Sequence, residues 1–223
     1  MQIFINAALK WVKWPIALLM ILMFLPALQT DIILLEHTLT KHFTINFILP
    51  MFGSIGIWFL IPGLHGSHLA IFEHEFTHML AALLTFHRPK SMSIDPGKGG
   101  SFGYYGEGNW FITLAPYFVP TFPLLLVLFS LICIWLHYPL PHLFMPTLGV
   151  LFGYHLVSNA AQIHPGQTDF SKAGWLFTLT FLPTANLLTV GFIWAFAFNN
   201  LTGVTRWGKL LIQQTQLFIN QIF

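Results

Sequence analysis

The chain has 223 residues, 56% of them apolar and only 7% charged, with a formal net charge of +2. A soluble domain averages about 25% charged residues, so this composition excludes a soluble globule and points to a chain that crosses a bilayer several times. The small charge, without a long basic run, gives no sign of a nucleic-acid partner, and the single Cys133 excludes an internal disulfide.

A hydrocarbon core of about 30 Å needs about 20 helical residues, and six candidate spans emerge in chain order. Lys10 and Lys13 precede an apolar run to Leu28 that looks superficially like a signal peptide. No small-x-small cleavage site follows, so span 1, at about 12–30, is expected to be retained. Span 2, at about 43–62, contains Pro50 and Gly53 and stops at Pro62-Gly63. Span 3, at about 66–86, carries several ionisable groups, and span 4, at about 110–136, holds Pro116, Pro120 and Pro123. Span 5 covers about 143–163, and span 6, at about 174–198, is expected to be broken or kinked at Pro183. The basic residues divide between the two sides of such a bundle (Lys10, Lys13, Arg206 and Lys209 against Lys41, Arg88, Lys90, Lys98 and Lys172), so they set no orientation.

The one long polar stretch lies between spans 3 and 4. Alternating runs at Ser91–Ile94 and Ser101–Tyr105 flank Asp95-Pro96-Gly97-Lys98-Gly99-Gly100, which predicts a small β-hairpin with a glycine-rich turn. Near the end of the chain, Trp207, Leu210, Leu211, Leu217 and Phe218 fall on one face, opposite Gln213, Gln216 and Asn220. That pattern predicts an interfacial amphipathic helix over 205–223. The expected fold is therefore all-α, a polytopic multi-pass membrane protein with about six transmembrane helices and a hairpin insertion, in one domain over 1–223.

Span 3 reads Glu73-His74-Glu75-Phe76-Thr77-His78 within an apolar stretch. Charged groups cost roughly 2.5–3.5 kcal/mol each at a helix centre in a bilayer, so their clustering there implies a use. His74 and His78 stack on one helix face at four-residue spacing and can hold one Zn²⁺ from the same side. Glu75, rotated by about 100°, reaches a water on the open side, which is the logic of the His-Glu-x-x-His signature: two ligands and a general base. Ser67, Ala70, His74, Thr77, His78, Ala81 and Thr85 form a small, polar stripe suited to a protein interior.

Catalytic zinc usually takes three protein ligands and keeps one open position. Asp169, the only carboxylate after Glu107, is the leading candidate for the third, with capping of span 6 as its alternative role. His164 and His155 are rivals, His155 reading better as a hydrogen-bonded histidine inside the bundle. Asn159 is a candidate for binding the substrate backbone or the oxyanion, against a plain helix–helix contact. Glu73 reads as an interhelical hydrogen-bonding group, and the remaining histidines sit near span ends.

These residues resemble the site-2 protease family of intramembrane zinc metalloproteases. The likeness rests on His74-Glu75-Phe76-Thr77-His78 within a span, a hairpin-like loop, a proline-bearing span and a late aspartate, over roughly 66–185. Residues 1–62 are then accessory spans. The resemblance implies a helical bundle with zinc held by His74, His78 and Asp169, Glu75 as base, and cleavage of a transmembrane protein substrate. Family members commonly show Asn-x-x-Pro leading to Leu-Asp-Gly; here Asn159, Pro165 and Asp169 keep the order at longer spacing, without the Leu-Asp-Gly. The edge of the hairpin, at Ser101 and Phe102, would hold an unwound substrate by strand addition. The contrasting readings are a membrane metalloenzyme of another class, such as a di-iron hydroxylase, and a non-proteolytic metal-binding protein, scaffold or transporter.

Overall fold

The computed structural model describes residues 1–64, 67–95, 99–164 and 167–222. It is mostly helical, with one two-stranded antiparallel sheet. Helix α1 (Gln2–Thr38) is followed by α2 (Lys41–Phe43), a π-helical stretch and α3 (Leu49–Leu60), which run on as one helix. Then come α4 (His68–Leu84), the strands β1 (Pro89–Asp95) and β2 (Gly99–Tyr104), α5 (Trp110–Leu114) and α6 (Thr121–Trp135). Helices α7 (Phe144–Gln162), α8 (Thr168–Ala173) and α9 (Trp175–Ile222) complete the chain.

Three of these helices are long and apolar enough to cross a membrane: Gln2–Thr38, Lys41–Leu60 and Trp175–Ile222. The bent pair Trp110–Tyr117 and Thr121–Trp135, angled by 89°, makes a fourth if it counts as one span. The expected six are thus three or four by length and apolarity among the described residues. Helix α4 has only 17 residues, and four of them are Glu73, His74, Glu75 and His78. Helix α7 is long enough, but His155, Ser158, Asn159 and Gln162 interrupt its apolar run.

The proline-rich segment breaks where its chemistry requires. Pro116 lies in a 3₁₀ turn, Ala115–Tyr117, and the chain bends before α6. Carbonyls freed at such a corner must find donors where there is no water. Asn159 and Asn186 both donate to the Tyr117 carbonyl, and Thr189 donates to that of Phe118. Pro183, by contrast, does not break α9; the interruption falls at Asn199 (φ −154°, ψ 42°) and Asn200 (φ 48°, ψ −140°). There the helix turns back on itself, with Gly203 pressed against the Ala195 carbonyl. The returning limb, expected as an interfacial helix, runs beside α1, where Trp207 Nε1 donates to Asp31 Oδ1 at 3.1 Å.

Close backbone contact also joins α7 to the continuous helix Lys41–Leu60. Gly149 and Gly153 lie one turn apart and meet the carbonyls of Phe47 and Met51 with no room for a Cβ. Small residues at this spacing let helices approach where burial from water supplies no drive. Phe43, Phe47, Phe144, Phe152 and Phe196 fill the core around that contact. A second cluster, of Trp110, Tyr117, Phe170, Phe177 and Phe181, packs beneath α8.

The sheet is the expected hairpin, in register Met92 with Phe102 and Ser93 with Ser101. Its turn, over 96–98, lies outside the described residues. The start of α1 clamps its base: Asn6 donates to the Glu107 carbonyl at 2.7 Å and accepts from Asn109 at 2.8 Å. Two turns further on, the Lys13 ammonium donates to the Ala173 carbonyl at 2.7 Å, fixing the end of α8. The first span therefore braces both the hairpin and the short helix that bears Asp169.

Candidate metal centre

Helix α4 starts at Ser67, whose hydroxyl accepts from the Ala70 amide at 3.3 Å. Seven and eleven residues on, His74 and His78 project from one face, their Nε2 atoms 3.2 Å apart. The other nitrogen of His78, Nδ1, lies 2.7 Å from the Ile112 carbonyl. A carbonyl only accepts, so Nδ1 carries the proton and Nε2 keeps a lone pair facing His74.

Helix α8 brings the third donor from far along the chain. Asp169 Oδ2 lies 3.4 Å from His78 Nε2 and 3.7 Å from His74 Nε2. Asp169 is therefore not spent on capping: it sits in the first turn of α8, the cap position is Gln167, and its carboxylate faces the imidazoles. Lys172, one turn on, reaches Oδ1 at 3.7 Å.

The three donors fit a metal ion. A tetrahedral zinc with ligand bonds of about 2.0–2.2 Å sets its ligand atoms about 3.3–3.6 Å apart, and the observed separations are 3.2, 3.4 and 3.7 Å. Two neutral imidazoles and one carboxylate are also a donor set that zinc accepts. Among the described residues this is the one such group of three or more.

All three donors border a cavity of about 560 Å³, together with Glu75, Ser101 and Phe102. Glu75 is buried, and β2 lies directly on it: Gly100 has no room for a Cβ against the Glu75 carboxylate and Ile71. The structure thus brings the expected base and both expected hairpin residues to the cavity that the donors border. Asn159 is placed elsewhere. Its amide is committed to the Tyr117 carbonyl at 2.8 Å and to Asn186 at 3.3 Å, the helix–helix contact that was its alternative role. His155 lies 3.7 Å from Glu73 across α4 and α7, and His164 is exposed at the cavity wall, outside the donor group.

The sequence of a known family matches residues 55–216, a family described as Peptidase M50B-like. The chain belongs to the peptidase M50B-like family. This is the site-2 protease family that the motif resembles, a family of zinc metalloproteases. The match is wider than the expected 66–185: it starts within α3 and reaches into the returning limb of α9. With the long apolar helices, it marks an integral membrane protein. No curated protein and no solved structure matches the chain.

Residues missed in the sequence surround the M50B-like centre. Tyr117, fully buried, donates its hydroxyl to Asp169 Oδ2 at 3.1 Å and sets its ring edge-on to His74, centroids 5.2 Å apart. Asn186 secures its carbonyl at 2.9 Å. An amide in an apolar span is a legible signal, and Asn186 carries one three residues after Pro183. Tyr117 has no such mark beyond its position between Pro116 and Pro120.

Proposed function

We propose that this protein is an intramembrane zinc metallopeptidase that hydrolyses peptide bonds of membrane-embedded protein substrates. The observation that carries this reading is the convergence of His74, His78 and Asp169 at ligand spacing beside a buried Glu75, in a chain of the M50B-like family. Bound zinc supplies a Lewis acid that polarises a carbonyl and lowers the pKa of a water to about 7.

The protein's own groups do the rest. His74, His78 and Asp169 serve as ligands, with His78 held in one tautomer by the Ile112 carbonyl. Glu75 takes a proton from the attacking water as its oxygen bonds to the peptide carbon. It then gives that proton to the leaving amine as the C–N bond breaks. The hairpin supplies the substrate's place. A transmembrane helix must be unwound before a peptide bond is exposed, and the β2 edge at Ser101 and Phe102 offers main-chain partners to an extended segment.

The test uses the full chain purified in detergent and returned to vesicles with a transmembrane substrate. About one zinc per chain is expected, with cleavage lost on chelation and restored by zinc. A chain that holds no zinc, or cleaves equally well after chelation, overturns the reading. The hairpin's part is tested separately. Phe102→Pro removes a strand N–H, and cleavage is expected to fall about two- to twelvefold, the worth of one main-chain hydrogen bond at about 0.5–1.5 kcal/mol. Zinc content stays unchanged in that variant. Full cleavage by it removes the hairpin from substrate binding.

A further inference from the structure

We propose that Tyr117 is a positioning residue for the metal centre: its hydroxyl sets the direction of the Asp169 carboxylate, and paired amides hold Tyr117 in place. This rests on the zinc reading above.

A carboxylate oxygen has two lone pairs. Oδ2 of Asp169 faces both imidazoles and also accepts from the Tyr117 hydroxyl at 3.1 Å. One lone pair is thus fixed by Tyr117, which leaves the other for the imidazole side. Among the described residues the opposite oxygen is met by Lys172, whose side chain is 65% exposed, so its grip is weak. Orientation of the third ligand therefore falls to Tyr117.

Tyr117 is itself held on every side. Its ring meets His74 at 5.2 Å and Phe170, the neighbour of Asp169, at 4.6 Å. Its carbonyl, freed at the corner between α5 and α6, accepts from Asn159 on α7 at 2.8 Å and from Asn186 on α9 at 2.9 Å. Four helices are thereby referred to one residue: α4 and α8 through its side chain, by way of His74, Asp169 and Phe170, and α7 and α9 through its carbonyl, by way of the two amides. The bend that the prolines create is what turns this tyrosine toward the metal ligands.

Tyr117→Phe deletes a single oxygen and keeps the ring contacts. The zinc dissociation constant of the full chain in detergent, read by competition with a chromophoric chelator, is expected to rise about 10–100-fold, as for loss of an outer-shell partner. The melting temperature of the metal-free protein is expected to stay as in the wild type, while the visible spectrum of the cobalt-loaded protein changes. Asn186→Leu, which frees Tyr117 at its other end, is expected to weaken zinc binding less and in the same direction. Wild-type zinc affinity in Tyr117→Phe overturns the inference, as does a loss of affinity that only tracks a lowered melting temperature. A wild-type chain without zinc affinity overturns the metal-centre reading, and this inference with it.

Discussion

Glu75→Gln is expected to abolish proteolysis while zinc stays bound. Positioned acid–base groups contribute about 10²–10⁴-fold to rate, and a glutamine at this position can accept no proton from water. The substitution is close to isosteric, which matters because Gly100 of β2 already lies against this side chain with no room to spare. Glu75 is outside the group of His74, His78 and Asp169, so metal content should not change. The measurement pairs cleavage of a transmembrane substrate in vesicles with elemental analysis of the same preparation. Zinc retained with cleavage lost is the signature of a missing base. Undiminished cleavage would place the base elsewhere, and a protein with no turnover to lose would be a scaffold.

Asp169→Ala has a comparable effect by a different route: it should lose the metal. Two imidazoles remain, one ligand short of a catalytic zinc site, so affinity should fall further than the about 10–100-fold of an outer-shell change. The alanine variant also leaves the buried Tyr117 hydroxyl without its acceptor, a penalty of about 1–3 kcal/mol. Asp169→Asn separates these effects. It keeps an acceptor oxygen for Tyr117 and removes the charge, so the protein should fold as the wild type while zinc content and cleavage fall to background. An asparagine variant with full zinc would move the third ligand elsewhere, with exposed His164 on the cavity wall the first residue to examine.

The parts of this molecule legible in the sequence are those written in local chemistry. His74 and His78 could be read because four-residue spacing on a helix fixes their relation without knowledge of the fold. The hairpin could be read because alternation and a glycine-rich turn are also local. Asp169 was legible only by elimination, as the last carboxylate in the chain, since its approach to α4 depends on how α8 is braced by Lys13 and Tyr117. The number of crossings was less legible, because apolar runs such as that of α7 also occur in helices with polar inner faces. A break after about residue 198 was legible, since the apolar span ends there and an amphipathic pattern begins at 205; the reversal of direction at Asn199–Asn200 was not, because it depends on backbone angles at two asparagines and on the close approach of Gly203 to Ala195.

That reversal has a bearing on sidedness. The first limb of α9 runs parallel to α1, from Thr184 beside Met20 to Trp194 beside Thr38. The second limb runs the other way, from Trp207 beside Asp31 to Thr215 beside Met23. The polypeptide is thus carried back toward the end of α1 that meets the hairpin base and the end of α8. A label joined near residue 222 is therefore expected close to the first half of α1, on the side of the bundle that carries the hairpin base.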